Sequence, residues 1–225
     1  MFLYEKNTYL IIRIFNNYAF FEILYVSIKI TDSSSVGSTY TGTFEAAVVA
    51  IPLFLDLNLA ISSFAASSKI IPNGFICGIG TGGTLIGIGK KLKEQNPDTK
   101  IYALEPTNMS LIKKGTIGNH KIEGIGDEFI PDLVDLNMID DIILIDDDEA
   151  IMMAQKLATE LGIGVGISSG ANMLACILMH EEVDGNIVTV FPDDLKKYIT
   201  TDLTKKTNNL NSIANQIKLL DYEIL

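Results

Sequence analysis

The hydrophobic rhythm of the chain changes near residue 70. From Gly74 onward, short apolar runs alternate with amphipathic stretches of helical length, the pattern of parallel β-α-β units joined by right-handed crossovers. Gly74 to Ile79 predicts a strand. Leu85 to Gln95, with Lys90, Lys91, Lys93 and Glu94 toward its end, predicts a helix that Asn96-Pro97-Asp98 stops. Lys100 to Glu105 predicts the next strand, Ser110 to Lys114 a short helix, and His120 to Phe129 a loop with two glycines. Asp141 to Ile145 predicts a strand, and Asp147 to Leu161 a helix whose acidic start suits its positive N-terminal end. Gly164 to Ile167 leads into Ser168-Ser169-Gly170. Ala171 to His180 predicts a further helix, and Asn186 to Phe191 a strand ended by Pro192.

Ahead of this region the rhythm is weaker. Tyr9 to Phe15 and Tyr18 to Ile30 are aromatic and β-branched, which predicts strands. Thr31 to Thr43, rich in Ser, Thr and Gly, predicts a loop, and Phe44 to Ala66 one or two apolar helices around Pro52. At the other end, Leu210, Ile213, Ile217 and Leu220 recur at helical spacing, so Asn208 to Leu225 predicts an amphipathic tail helix for core or dimer packing. The expected fold class is α/β, a parallel sheet flanked by helices. Residues 73–225 form the expected domain, and residues 1–70 an atypical, shortened region ahead of it.

Composition narrows the function classes. Hydrophobic residues make up 48% of the chain, enough for a sizeable core, and the formal net charge is -11. That charge argues against nucleic acid and against an anionic membrane surface, both of which call for Lys and Arg. Cys77 and Cys176 lack partners at metal-ligand spacing, which fits a reducing cytoplasm. With only two histidines, His120 and His180, no multi-histidine metal site is expected. Met1 to Arg13 lack a basic start and a small-residue cleavage site, so no secretory leader is expected. Ala46 to Ala66 is mostly apolar, but Pro52 and Asp56 divide it into pieces shorter than the roughly 20 residues a membrane span needs.

The most informative motif is Gly78-Ile79-Gly80-Thr81-Gly82-Gly83-Thr84, between a predicted strand and a predicted helix. Glycine lets backbone N–H groups approach an anion with no Cβ in the way, the helix start adds its dipole, and two threonines add hydroxyl donors. This is a phosphate cradle rather than a turn required only by packing. Gly78, Gly80 and Gly83 also spell G-x-G-x-x-G, and Glu105 closes the second strand as a dinucleotide fold requires, so an NAD-binding oxidoreductase domain is one reading. A second motif, Gly166-Ile167-Ser168-Ser169-Gly170-Ala171, is expected to join a strand to a helix. A serine there can turn its hydroxyl toward a ring nitrogen and leave it largely unprotonated; the ordinary reading is a helix N-cap.

Taken together and in order, these motifs carry a resemblance. Gly80-Thr81-Gly82-Gly83-Thr84 resembles the phosphate loop of the cysteine synthase (O-acetylserine sulfhydrylase) family, as do Leu92 to Pro97 and Ala103-Leu104-Glu105-Pro106 after it. His120 to Gly126 resembles the family loop that closes near the substrate, Gly166 to Ala171 the turn whose serine meets the pyridine nitrogen, and Val188 to Asp194 with Lys197-Tyr198 the last strand. The resemblance covers residues 73 to 204. It implies a fold-type II pyridoxal 5'-phosphate enzyme that replaces the acetate of O-acetylserine with sulfide to give cysteine; cystathionine β-synthase shares these motifs. It further implies that Gly80, Thr81, Gly82, Gly83, Thr84 and Ser168 bind the cofactor, that Gly124, Ile125 and Gly126 border an amino-acid substrate, that no metal is needed, and that a homodimer and serine acetyltransferase are partners.

One element of the family pattern is missing. The family's lysine, which holds the cofactor covalently and removes the substrate α-proton, lies in a Ser-Val-Lys-Asp-Arg motif. The nearest echo here is Ser35-Val36-Gly37-Ser38-Thr39, with glycine in the lysine's place. The substrate motif Ser-Gly-Asn-Thr-Gly is echoed by Ser38-Thr39-Tyr40-Thr41-Gly42, which overlaps the first. Of the lysines ahead of the phosphate loop, Lys6, Lys29 and Lys69, none has the expected neighbours. The catalytic residue is therefore not assigned, and a shortened, poorly active member of the family is expected. A non-catalytic interaction protein that keeps the fold is the other alternative. His120 reads as a loop residue, and Asp193-Asp194 as a solvated turn.

Overall fold

The computed structural model describes residues 12–13, 22–30, 42–49, 72–205 and 212–224. Within them, eight strands form one sheet: β1 (Ile12–Arg13), β2 (Glu22–Ile30), β3 (Gly42–Val49), β4 (Gly74–Gly78), β5 (Lys100–Pro106), β6 (Asp141–Ile145), β7 (Ile187–Val190) and β8 (Ile217–Ile224). Their order is β6-β5-β4-β7-β3-β1-β2-β8. The α-helices among the described residues are α1 (Gly83–Gln95), α2 (Leu111–Lys114), α3 (Asp147–Glu160), α4 (Ile167–Met179) and α5 (Ile213–Gln216).

The block β6-β5-β4-β7-β3 is parallel throughout, so the α/β expectation holds across residues 74 to 190. Period-2 alternation then buries both faces of the sheet. Phe75, Cys77, Ile101, Ala103, Val188 and Val190 point to the side where α1 packs with Leu85, Ile88 and Leu92. Ile76, Tyr102, Leu104 and Ile187 point to the opposite side, where α3 and α4 pack. Burial on both faces is what a parallel sheet requires, and it makes its strands read as short, nearly continuous apolar runs. Helix α4 lies against α3 at very close range. A Cβ on Gly170 would stand 2.2 Å from the carbonyl oxygen of Ala150, so only glycine lets the two backbones meet.

Three expectations are corrected. Phe44 to Val49 is not helical: it belongs to β3, antiparallel to β2 and parallel to β7. A short apolar run without alternation suits a strand paired on both sides as well as it suits a buried helix. The remainder of that predicted helix, residues 50–66, lies outside the described residues. Among the described residues the tail is helical only at α5, and Ile217 to Ile224 is a strand antiparallel to β2. Buried Ile217 and Leu219 flank exposed Lys218 there, a period of two that the helical spacing of 213, 217 and 220 had masked. Finally, no strand precedes the second motif. Val165 makes one isolated bridge to Asp194, and α4 begins at Ile167.

Candidate functional site

After β4 the chain crosses through α1 to β5 and β6 on one side, then returns through α3 and α4 to β7 on the other side of β4. The carboxyl ends of β4 and β7 therefore flank a topological switch point, where open α/β sheets bind ligands. Ladder pairing between these strands ends at Phe75–Val188. Beyond it the ends are tied by side chains. Thr189 Oγ1 donates to the Ile76 carbonyl at 2.7 Å, and Asn172 Oδ1 accepts from the Gly78 amide at 3.0 Å while its Nδ2 donates to the Val190 carbonyl at 2.7 Å. Asn172 is buried, with both of its side-chain polar atoms bonded in this way. Its signal in the sequence was a lone amide inside the apolar helix run Ala171 to Met179.

A cleft of about 450 Å³ opens between those strand ends. It is lined by the whole of Gly80 to Thr84, by Ser168 and Asn172 from α4, by Glu123, Gly124 and Ile125, and by Asp193, Lys197 and Tyr198. Helix α1 points its N-terminus at this space. Its N-cap is Gly82 in the left-handed region (φ 81°), and no side chain caps it. The leading amides of an α-helix have no intrahelical acceptor, and here their surroundings are glycine backbone and the exposed Thr81 and Thr84. Two of the glycines, Gly80 and Gly82, are required by contact. A Cβ on Gly80 would lie 2.4 Å from the Gly124 carbonyl oxygen, and one on Gly82 2.4 Å from Val134 Cγ2. Uncapped amides, two hydroxyls and close backbone approach are the donor set a phosphate monoester needs.

Ser168 lies in the first turn of α4 rather than at its N-cap, which is Gly166. It lines the cleft, and its hydroxyl makes no hydrogen bond among the described residues. Beside it, Asp193 packs so closely on Gly166 that a Cβ there would meet Asp193 Oδ1 at 2.1 Å. Asp193 Oδ2 accepts from the Tyr198 hydroxyl at 2.5 Å and lies 3.5 Å from Lys197 Nζ, while its buried Oδ1 has no hydrogen-bond partner among the described residues. Burial, and then the Asp193 carboxylate, push the Tyr198 phenol well above its ordinary range. The sequence reading took Asp193 for a solvated turn; the structure makes it part of the cleft wall. Burial likewise pushes the Cys77 thiol, on the same wall, up to about 12.

The loop residues divide. Gly124 and Ile125 border the cleft, whereas Gly126 lies behind it and donates its amide to the Ile79 carbonyl at 2.8 Å. Lys121 anchors the same loop to Asp202 at 2.8 Å, and the Lys121 and Lys205 ammonium groups hold the Asp202 carboxyl at about 2.

Glu105 has a different task from the one a dinucleotide site would give it. It is buried and accepts from Ser110 Oγ (3.0 Å), the Ile112 amide (2.8 Å) and the Lys113 amide (3.0 Å), so it caps α2 and does not line the cleft. Replacing it with alanine leaves three donors without their acceptor. We expect Glu105→Ala to cost about 2–4 kcal/mol in urea denaturation while leaving ligand affinity at the cleft unchanged.

Fold and site together define an α/β protein with a cleft and an uncapped helix N-terminus at the sheet's switch point. Residues 64–193 match the family model described as pyridoxal-phosphate dependent enzyme, and the chain belongs to that family. Cysteine synthase B of Campylobacter jejuni is 42% identical over 130 residues, which cover 57% of this chain and 43% of that protein. The solved hydrogen sulfide-producing enzyme of Fusobacterium nucleatum is 44% identical with a TM-score of 0.70, covering 75% of this chain and 52% of that one. A cysteine synthase of Entamoeba histolytica is 31% identical with a TM-score of 0.63, covering 71% and 47%. The chain thus spans about half the length of the relatives it matches. The NAD reading finds no support among them. Among the described residues, no helix is long and apolar enough to cross a membrane.

Proposed function

We propose that this chain binds pyridoxal 5'-phosphate in the cleft between β4 and β7 and serves a β-replacement reaction of the cysteine synthase type, on an amino acid such as O-acetylserine with sulfide as the second substrate. The observation that carries the proposal is the uncapped N-terminus of α1 facing Ser168 across one cleft. When bound, the cofactor supplies an electron-withdrawing ring that stabilises negative charge at the substrate α-carbon. The chain's own residues do the rest. Gly80 to Thr84 hold the phosphate through backbone amides and the Thr81 and Thr84 hydroxyls. Ser168 would offer its hydroxyl to the ring, and Asn172 fixes the separation of the strands beneath. Gly124 and Ile125 border the space left for the amino acid. The buried cysteines suit a cytoplasmic protein, and a second copy of the chain and serine acetyltransferase are the partners this reading brings with it.

Titration with pyridoxal phosphate tests the proposal. At about 100 times Kd, a ligand specific for the folded state adds about 2.7 kcal/mol. For a chain of this size that raises Tm by roughly 5–10 °C, together with a new absorbance band from the bound cofactor. A shift produced by NAD and not by pyridoxal phosphate would overturn it.

A further inference from the structure

The loop from His120 to Gly126 supplies part of the cleft wall, yet it has no regular secondary structure to hold it. Its shape comes from one side chain. His120 Nδ1 accepts from the Ile122 amide at 3.2 Å, so the imidazole carries its proton on Nε2, and that N–H donates to the Gly126 carbonyl at 3.3 Å. The ring spans the loop from its third residue, Ile122, to its last, Gly126. Gly126 fits beneath it only because it is glycine, with φ 75° and with the site of a Cβ 2.9 Å from His120 Nε2 and 3.1 Å from Pro106 Cγ. The Gly126 amide in turn donates to Ile79, the residue before the phosphate loop. Between these two attachments, Gly124 presses its carbonyl against Gly80 and Ile125 presses its side chain against Gly78.

We infer that His120 is a positioning residue for the phosphate cradle: its Nε2–H bond to Gly126 holds Gly124 and Ile125 against Gly80 and Gly78, and so sets the conformation in which the loop Gly80 to Thr84 receives its ligand. The inference rests on the proposed binding of pyridoxal phosphate. The ion pair from the loop's Lys121 to Asp202 is partly solvent-exposed and screened. His120 is the brace between the loop and itself.

The two ring nitrogens can be separated by substitution, because asparagine reproduces the Nδ1 position and glutamine the Nε2 position. Affinity for pyridoxal phosphate is measured by equilibrium dialysis for the full chain and for H120A, H120N and H120Q. Hydrogen exchange of the Gly126 amide is followed in the cofactor-free proteins. H120A and H120N are expected to bind at least tenfold more weakly and to exchange Gly126 faster, while H120Q stays within threefold of the unaltered chain in both. Equal binding by all four proteins overturns the inference, as does rescue by asparagine in place of glutamine. Unchanged Gly126 exchange in H120A overturns it independently of any ligand. No binding by the unaltered chain overturns the proposed function, and this inference as a statement about binding with it. If H120A does not fold, the comparison of H120N with H120Q still decides.

Discussion

Gly80→Ala removes pyridoxal phosphate binding while the protein stays folded. The added methyl would stand 2.4 Å from the Gly124 carbonyl oxygen, a backbone atom that cannot rotate away as a side-chain tip can. Relief requires the loop to retreat from the cradle. Retreat is opposed by the bond from the Gly126 amide to Ile79 at 2.8 Å and by the His120 brace. The cost therefore falls on the conformation that binds phosphate, and a displacement of about an ångström is enough to misalign donors whose useful range is about 2.7–3.2 Å. We expect affinity to fall at least about 100-fold, equivalent to about 2.8 kcal/mol. Gly82→Ala adds a positive-φ penalty and a contact of 2.4 Å with Val134 Cγ2, so it loses both affinity and stability. Gly115 is the control. Its φ of 68° is just as left-handed, but nothing lies within 4 Å of its Cβ position, so Gly115→Ala costs about 1 kcal/mol of stability and no affinity. Binding by Gly80→Ala within threefold of the unaltered chain would remove the cradle from the loop.

The outcome for these glycines shows what kind of information the sequence held. A glycine that must admit another backbone, such as Gly80 or Gly170, is visible only as a glycine; the partner that demands it, Gly124 or Ala150, is remote in sequence. The glycine turn from Gly80 to Thr84 was legible because its requirements are local: a strand end, a left-handed turn and a helix start within a few residues. The β-α-β series after Gly74 was legible because strands buried on both faces leave apolar runs of characteristic length. The same rule failed at Phe44 to Val49, where a run of that kind looks equally helical until its pairing with β2 and β7 is known. Asn172, Asp193 and Tyr198 were not legible as lining the cleft, since each gains its place there from the folded chain: Asn172 through its bond to Gly78, Asp193 through its packing on Gly166, and Tyr198 through its bond to Asp193. Glu105 misled for the opposite reason: its position at the end of β5 fits the dinucleotide pattern, but its three hydrogen bonds belong to α2.

The chain alone is expected to form cysteine from O-acetylserine and sulfide at a rate at least about 1,000-fold below a typical enzyme's roughly 10 per second. The reaction class needs a phosphate cradle, a ring partner and a lysine that is both covalent anchor and base. Gly80 to Thr84 and Ser168 are the residues proposed for the first two. For the third, Lys197 is the only lysine among the described residues that lines the cleft. Its side chain is 65% exposed and lies 3.5 Å from the Asp193 carboxylate. A base and nucleophile needs the reverse, a desolvated amine free of a carboxylate partner. Lys121 is committed to Asp202 and Asp148, and Lys93 and Lys100 to Asp140. Lys6 and Lys69 lie outside the described residues. The measurement is cysteine formation with added pyridoxal phosphate, followed by borohydride reduction and peptide mapping to locate any lysine that carries the cofactor. Slow turnover with the cofactor retained non-covalently is the expected result. Turnover within tenfold of 10 per second, with label on a single lysine, would show instead that the chain is a complete catalyst and would name the residue that its sequence conceals.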